Sequence, residues 1–264
     1  SDPQPAVRQS ALIALGRLGF SSSFEPVATA LREGVPDVRF QAATSLAEID
    51  PTRAADPLLT ALEDSDGEVV GAAALALGAL GERRAIAPMV ELLGSWSRPT
   101  TRFDLAYALA DLDDTRAVDT LLEFIDHKDA AWDAIESLEK LGAVAAERMI
   151  APLTALLARR FLTPRIKLRA AATVLAVSAP TDASSESANN DAGVTDSARA
   201  AARAARVAGL RARKLEDRGL AVQQLGRVGG EWALAPLAAL GDRRAGRPLV
   251  EDIAESIERI RARQ

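Results

Sequence analysis

The sequence has no cysteine, one histidine and only 4% aromatic residues among its 264 positions. Without cysteine there is no disulfide framework, thiolate zinc site, iron–sulfur cluster or cysteine nucleophile. The single histidine, His127, excludes a multi-histidine metal site and leaves histidine-based catalysis to one residue. No run reaches the roughly 20 apolar residues of a membrane-spanning helix. The first ten residues are polar and contain prolines, unlike a secretory leader. The expectation is therefore a soluble, cytoplasmic protein, although an opening Ser-Asp rather than Met is compatible with a removed leader or further domain. Alanine, leucine, valine and isoleucine supply most of the 48% hydrophobic content. That bias favours helix and argues against a β-sandwich or barrel, which draws on β-branched and aromatic residues.

Charge is unevenly placed. Residues 1–150 carry 13 Lys+Arg against 25 Asp+Glu, a balance of −12, and residues 151–264 carry 19 against 12, a balance of +7. An acidic half followed by a basic half can orient a charged partner.

A repeat of 31 residues runs through the chain. Val38-Arg39, Ala42, Leu46, Ile49, Pro57 and Leu62 return, shifted back, as Val7-Arg8, Ala11, Leu15, Leu18, Pro26 and Leu31. Shifted forward they return as Val69-Val70, Ala73, Leu77, Leu80, Pro88 and Leu93. Thr101-Arg102, Leu105, Leu109 and Leu112 continue the frame, as do Ala134 and Leu138, Ile166-Lys167 and Ala170, Arg218 and Ala221, and finally Ile253 and Ile257. Within each copy the apolar positions lie on one helical stripe. Pro5, Pro36, Pro99 and Pro164 precede the leading position by two residues, which suits a first helical turn. Gly19, Asp50, Gly81, Asp113, Gly142 and Gly229 mark the end of that helix. A second, shorter helix follows, with Pro26, Pro57, Pro88 and Pro236 near its start. One such hairpin cannot cover its own apolar face, so copies must stack and share a core. The expected fold is all-α: a right-handed α-solenoid of about seven to eight helical hairpins, with the second helices on the concave face.

The pattern resembles HEAT repeats, in particular the short HEAT-like repeats of the phycobilisome-lyase type. The motif D-x-x-V-R-x-x-A-x-x-A-L-x-x-L-G, followed by A-x-x-x-L-x-x-x-L, is carried by Asp37-Val38-Arg39, Ala42, Leu46 and Ile49, then Ala54, Leu58 and Leu62. The third copy shows it through Ala73, Leu77, Leu80-Gly81, Ala85, Met89 and Leu93. The resemblance covers about 1–178 and 214–264 and implies the fold. It says little about function, since such repeats serve adaptors, lyase subunits and parts of larger enzymes. HEAT-like deoxyhypusine hydroxylases hold two irons with several His-Glu pairs, which one histidine cannot supply.

Three segments follow. Residues 1–178 hold repeats one to five and the first helix of the sixth; 179–198 form a polar insertion; 199–264 hold the displaced second helix and the remaining repeats. The insertion is rich in Ser, Asn and Asp and reads as a mobile loop tolerated at a solenoid turn. The sharper alternative is a regulated segment with phosphorylatable Ser184, Ser185 and Ser187.

No residue cluster carries recognisable catalytic chemistry. Arg8, Arg39, Arg102, Lys167 and Arg218 share one repeat position and read as ties to carboxylates such as Asp37 or Glu68 in adjacent repeats. Asp111, Asp113, Asp114, Asp119 and Glu123 lack the glycine and spacing of a calcium loop. His127, in Asp126-His127-Lys128-Asp129, has no nucleophile or ligand motif beside it and reads as a solvated turn. Arg199, Arg203 and Arg206 fall on one helical face, able to meet an acidic protein surface or, less readily, a nucleic-acid backbone. Trp96, Phe103, Tyr107 and Trp132 depart from the small-residue template, and a loop tryptophan is a candidate anchor.

The sequence thus points to a scaffold or adaptor, not an enzyme, that binds another protein through its concave groove and needs no cofactor or metal. The expected contact residues are Trp96, Arg102, His127, Trp132, Arg199, Arg203 and Arg206. Two alternatives stand beside it: a bilin lyase or lyase-like chromophore chaperone, which the repeat resemblance allows, and nucleic-acid binding through 199–218.

Overall fold

A computed structural model of the chain describes residues 2–159, 162–178, 191–212, 214–242 and 244–263. Among them are fifteen α-helices and no strand. They form two compact units, Ser1–Leu121 and Leu122–Gln264.

In the first unit the first helices of successive repeats are α1 (Pro5–Leu18), α3 (Pro36–Ile49), α5 (Gly67–Ala79) and α7 (Pro99–Asp111). The second helices are α2 (Phe24–Ala30), α4 (Pro51–Ala61), α6 (Ile86–Ser95) and α8 (Val118–Phe124), the last of which runs across the unit boundary. Pro5, Pro36 and Pro99 each open a first helix, where a missing N–H costs nothing. Short 3₁₀ turns at Ser21–Ser23, Arg83–Ala85 and Thr115–Ala117 lead into α2, α6 and α8. The second repeat differs. Asp50 caps α4 by accepting from the N–H groups of Thr52 and Arg53, and Pro51 supplies the first turn, so the helix starts early. Pro57 consequently lies inside α4 rather than near its start.

The first helices pack side by side, α1 on α3, α3 on α5 and α5 on α7, whereas the second helices rest mainly on first helices. A small residue recurs at one position of the contact, Gly16, Ala47, Gly78 and Ala110, and lets the backbones approach. Between α2 and α4 there is instead an open cavity of about 510 Å³ bordered by Phe24, Thr29, Pro57 and Ala61. The tightly spaced layer is the inner one of a curved stack, so within this unit the first helices take the place expected for the second.

The second unit repeats the scheme with α9 (Ala131–Leu141), α11 (Pro164–Val177), α13 (Leu215–Val228) and α15 (Val250–Arg261) as first helices. Its second helices are α10 (Ala146–Ala158), α12 (Asp191–Gly209) and α14 (Glu231–Gly241). Leu168, Leu210, Val222, Leu225, Leu237 and Ile253 form one buried cluster there. Of the expected insertion at 179–198, residues 179–190, including Ser184, Ser185 and Ser187, lie outside the described residues. From Asp191 onward the backbone is helix rather than loop. Once the Ala-rich stretch nucleates a helix, each added residue gains a hydrogen bond, and α12 extends N-terminally into polar sequence.

The residues that end the first helices divide by backbone conformation, Asp50 and Gly229 being extended. Gly19, Gly81 and Gly142 adopt left-handed φ values of 63°, 69° and 60° after their first helices, and Asp113 does the same at 61°. A side chain in that region costs free energy that glycine avoids. Asp113 is exposed, so Asp113→Gly is expected to stabilise the protein by about 0.5–1 kcal/mol, read as a higher urea midpoint at unchanged slope.

Candidate functional site

The charged side chains divide into those that tie repeats together and those left on an open face. Arg39 donates from Nε and Nη2 to the two oxygens of Asp64, at 2.7 and 2.8 Å, and from Nη1 to the carbonyl of Glu33. Both partners are mostly covered, at 13% and 11% side-chain exposure. At the equivalent repeat position Arg8 stands 3.9 Å from Glu33 and donates to the carbonyls of Asp2 and Pro3, and Arg218 donates to the carbonyl of Ala212. Arg8 and Arg39 thus reach the carboxylate at the end of their own hairpin, while Arg39 and Arg218 also hold a carbonyl six residues back, at the end of the preceding one. The expected acceptors, Asp37 and Glu68 of adjacent repeats, are not used; Glu68 pairs instead with Arg98. A second row joins consecutive repeats on the second-helix side, Arg53 of α4 with Glu25 of α2 and Arg84 of the turn before α6 with Asp56 of α4, each pair 28 residues apart.

In the second unit, α12 turns the face bearing Ala198, Ala202 and Arg206 into the core. Arg206 is fully buried, donating to the carbonyl and side-chain oxygen of Gln224, while its Nε has no partner. Burial, together with the nearby positive charge of Arg227 and against the attraction of Glu139, pulls its pKa down to about 10. Arg203 lies over the Trp232 ring, 5.5 Å from its centroid, and Arg199 reaches Ser178 and Asp196. The stripe expected to meet a partner or nucleic acid thus lies at the edge of the packing face, with Arg203 exposed and Arg199 half-buried. Arg206 is removed from the surface, whereas Arg199 and Arg203 touch neighbours in the unit and still meet solvent.

Trp132, half-buried on α9, sits beneath Arg165 and Arg169 at 5.4 and 5.0 Å. Arg169 also contacts Glu136 and Glu139, and Glu139 binds Arg227 at 2.5 Å, so one carboxylate bridges α11 and α13. His127 is exposed, with its ring tilted against Phe124. In the first unit, Trp96 ends α6 in an extended conformation and is half-buried, its ring lying against Gly67 where Thr101 donates to the Gly67 carbonyl. It acts as a plug between α5 and α7, not as an open loop anchor. Arg102 is half-buried on α7. The expected contact set is therefore split between the units: Trp96 and Arg102 in one, His127, Trp132 and the three arginines in the other.

The open face of the first unit's inner layer is different in kind. Ile13 and Phe40 are 37% and 38% exposed, and Leu75, Phe103 and Tyr107 are partly exposed. Phe103 and Tyr107 form a tilted pair with centroids 6.2 Å apart. Beside them Asp104 lies over Gly71, where a Cβ would come within 2.4 Å of its Oδ2. Burial raises the Asp104 pKa to about 6, against the opposing pull of Arg98.

The family model for HEAT repeats matches residues 1–77, 24–110 and 55–139, together more than half of the chain. This chain belongs to the HEAT-repeat family. Its fold is similar to the complex of CpcE and CpcF of phycocyanin lyase from Nostoc sp. PCC7120, at 20% identity and a TM-score of 0.51, over 90% of this chain and 93% of that one. An engineered protein is similar at 16% identity and a TM-score of 0.53, over 98% and 75%. A homology model of the full-length AP-3 complex gives 12% and 0.56, over 97% and 54%. None of the curated proteins compared with it matches in sequence. At these identities the likeness is one of fold. Among the described residues no helix is long and apolar enough to cross a membrane.

Within the HEAT-repeat frame, Phe40, Gly71 and Phe103 occupy one repeat position, and Ile13, Thr44, Leu75 and Tyr107 another, one turn on. The sequence held this signal, because both positions fall outside the core stripe yet accept large apolar residues. Asp104 carries a cost that follows from its site. Below the unfolded carboxyl pKa of about 3.9 it is neutral in both states. As pH rises towards about 6 the unfolded chain ionises first and folding loses stability. Asp104→Asn is expected to gain about 1–2 kcal/mol at pH 7, discounted for the solvent that still reaches the group, and nothing near pH 4. Urea unfolding at the two pH values measures the difference.

Proposed function

We propose that this HEAT-repeat chain is a non-catalytic scaffold that holds a protein partner on the open face of α1, α3, α5 and α7. The observation that carries the reading is the use made of side chains. Charged groups at hairpin ends and on second helices serve as ties between and within repeats, while the inner face of the first unit keeps exposed Ile13 and Phe40 beside partly exposed aromatics. Large apolar groups gathered on one open face mark an interaction surface more often than a solvated one.

The test is a photo-crosslinking amino acid placed in the full chain at Thr44 on the open face or at Thr60 on α4, followed by irradiation in native lysate. A discrete protein adduct from position 44 and not from position 60 is expected. Equal labelling from both, or none from either, overturns the reading. The fold likeness to CpcE and CpcF suggests one competing activity: a retained, red-shifted absorbance band after mixing with a bilin would displace the scaffold in favour of a chromophore site.

A further inference from the structure

Four packed helices present equivalent positions in register, so the side chains of the inner face form a strip rather than isolated spots. One row runs through Phe40, Gly71 and Phe103, and the adjacent row through Ile13, Thr44, Leu75 and Tyr107. With neighbouring axes about 8–10 Å apart, the strip is about 25–30 Å long. That length matches an extended segment of about eight or nine residues at about 3.3 Å each. Two carboxylates border it, each seated over a glycine of the preceding first helix: Asp104 over Gly71 and Glu48 over Gly16. Asp104 accepts no hydrogen bond from the described residues and senses only the charge of Arg98. A half-buried carboxylate without donors lacks the partners such a group normally has. The unit around it is acidic, with 10 Lys+Arg against 18 Asp+Glu over residues 1–121, a balance of −8.

We infer that this strip docks a partner segment bearing both apolar side chains and lysine or arginine, the apolar groups on Phe40, Leu75, Phe103 and Tyr107 and a cation on Asp104. The inference rests on the scaffold reading and adds the chemistry of the partner. A cation brought to Asp104 supplies the missing donors. A phosphate backbone is repelled by the same carboxylates, so the face selects a basic peptide over a nucleic acid.

The probe is a fluorescein-labelled twelve-residue peptide of alternating leucine and lysine, titrated against the full chain by fluorescence anisotropy at near-physiological salt. Its counterparts carry glutamate in place of lysine, or serine in place of leucine. The leucine–lysine peptide is expected to bind at least about tenfold more tightly than either counterpart. Asp104→Asn and Phe40→Ala are each expected to weaken it about five- to tenfold with an unchanged circular dichroism spectrum. Both substitutions lie on the open face and leave the core stripe intact. Equal binding of the glutamate peptide, or no change in both variants, overturns the inference. Sedimentation showing a dimer that Phe40→Ala dissolves overturns it too, in favour of a second copy on the strip. A crosslinked adduct at position 44 without preference for the basic peptide leaves the scaffold standing and removes only this partner chemistry; no adduct removes the scaffold itself.

Discussion

Asp64→Ala is expected to cost about 2–4 kcal/mol, seen as a lower urea midpoint of the full chain. The Asp64 carboxylate takes both arms of the Arg39 fork and also accepts the Asp66 N–H at 2.8 Å, and Asp66 in turn caps α5. Removing it strands a mostly covered guanidinium and loosens the entry to the next helix. The loss exceeds what the pair contributes in favourable energy, because an uncompensated charge remains inside. Acid produces the same change in the natural protein. Burial pushes the Asp64 pKa up, but the Arg39 hydrogen bonds and charge and the Asp66 N–H outweigh it and hold it below the usual carboxylate value. The unfolded chain therefore binds the proton first as pH falls. The contribution of Asp64 is present above about pH 4 and is lost as pH drops through the folded value. Asp64→Asn is expected to flatten that part of the pH–stability curve, while Asp104→Asn flattens the part between about 4 and 6, where the sign is opposite.

The repeat could be read from sequence because its determinants are local. A proline at the first turn, an apolar stripe and a glycine past the end need no knowledge of neighbours, and Pro36, Leu46 and Gly81 behave as their positions imply. What resisted reading was decided by which side of a helix meets another. Arg199, Arg203 and Arg206 on α12 share a face with Ala198 and Ala202; composition favours either water or the core, and α13 decides by offering Gln224 to Arg206. The ion-pair rows were legible, though, as a fixed spacing. Arg8–Glu33 and Arg39–Asp64 are both 25 residues apart, and Glu25–Arg53 and Asp56–Arg84 both 28, so each pair repeats with the period. The docking strip was written in the same register, at positions that the core template leaves blank.

The tight inner layer on which that strip depends makes Gly78→Val the most damaging single change expected here. Gly78 on α5 faces the backbone of α7: a Cβ would come 2.9 Å from Ala108 Cα, 3.0 Å from its carbonyl oxygen and 3.1 Å from its Cβ. Helix backbone cannot rotate aside as a side chain can, so α5 and α7 must part. Separation breaks the close packing of Leu77, Leu105 and Leu109, all fully buried. Overpacking of this kind costs about 3 kcal/mol or more, well above the helix propensity that valine adds over glycine. Gly94→Ala is the matched control. It lies in α6 with nothing within 4 Å of its added methyl group, and is expected to stabilise by about 0.5–1 kcal/mol. Opposite signs for the two glycines in urea unfolding would locate the cost at the α5–α7 contact. Equal signs would mean that the first helices tolerate wider spacing, and the inner layer would then lose its claim to hold a strip in register.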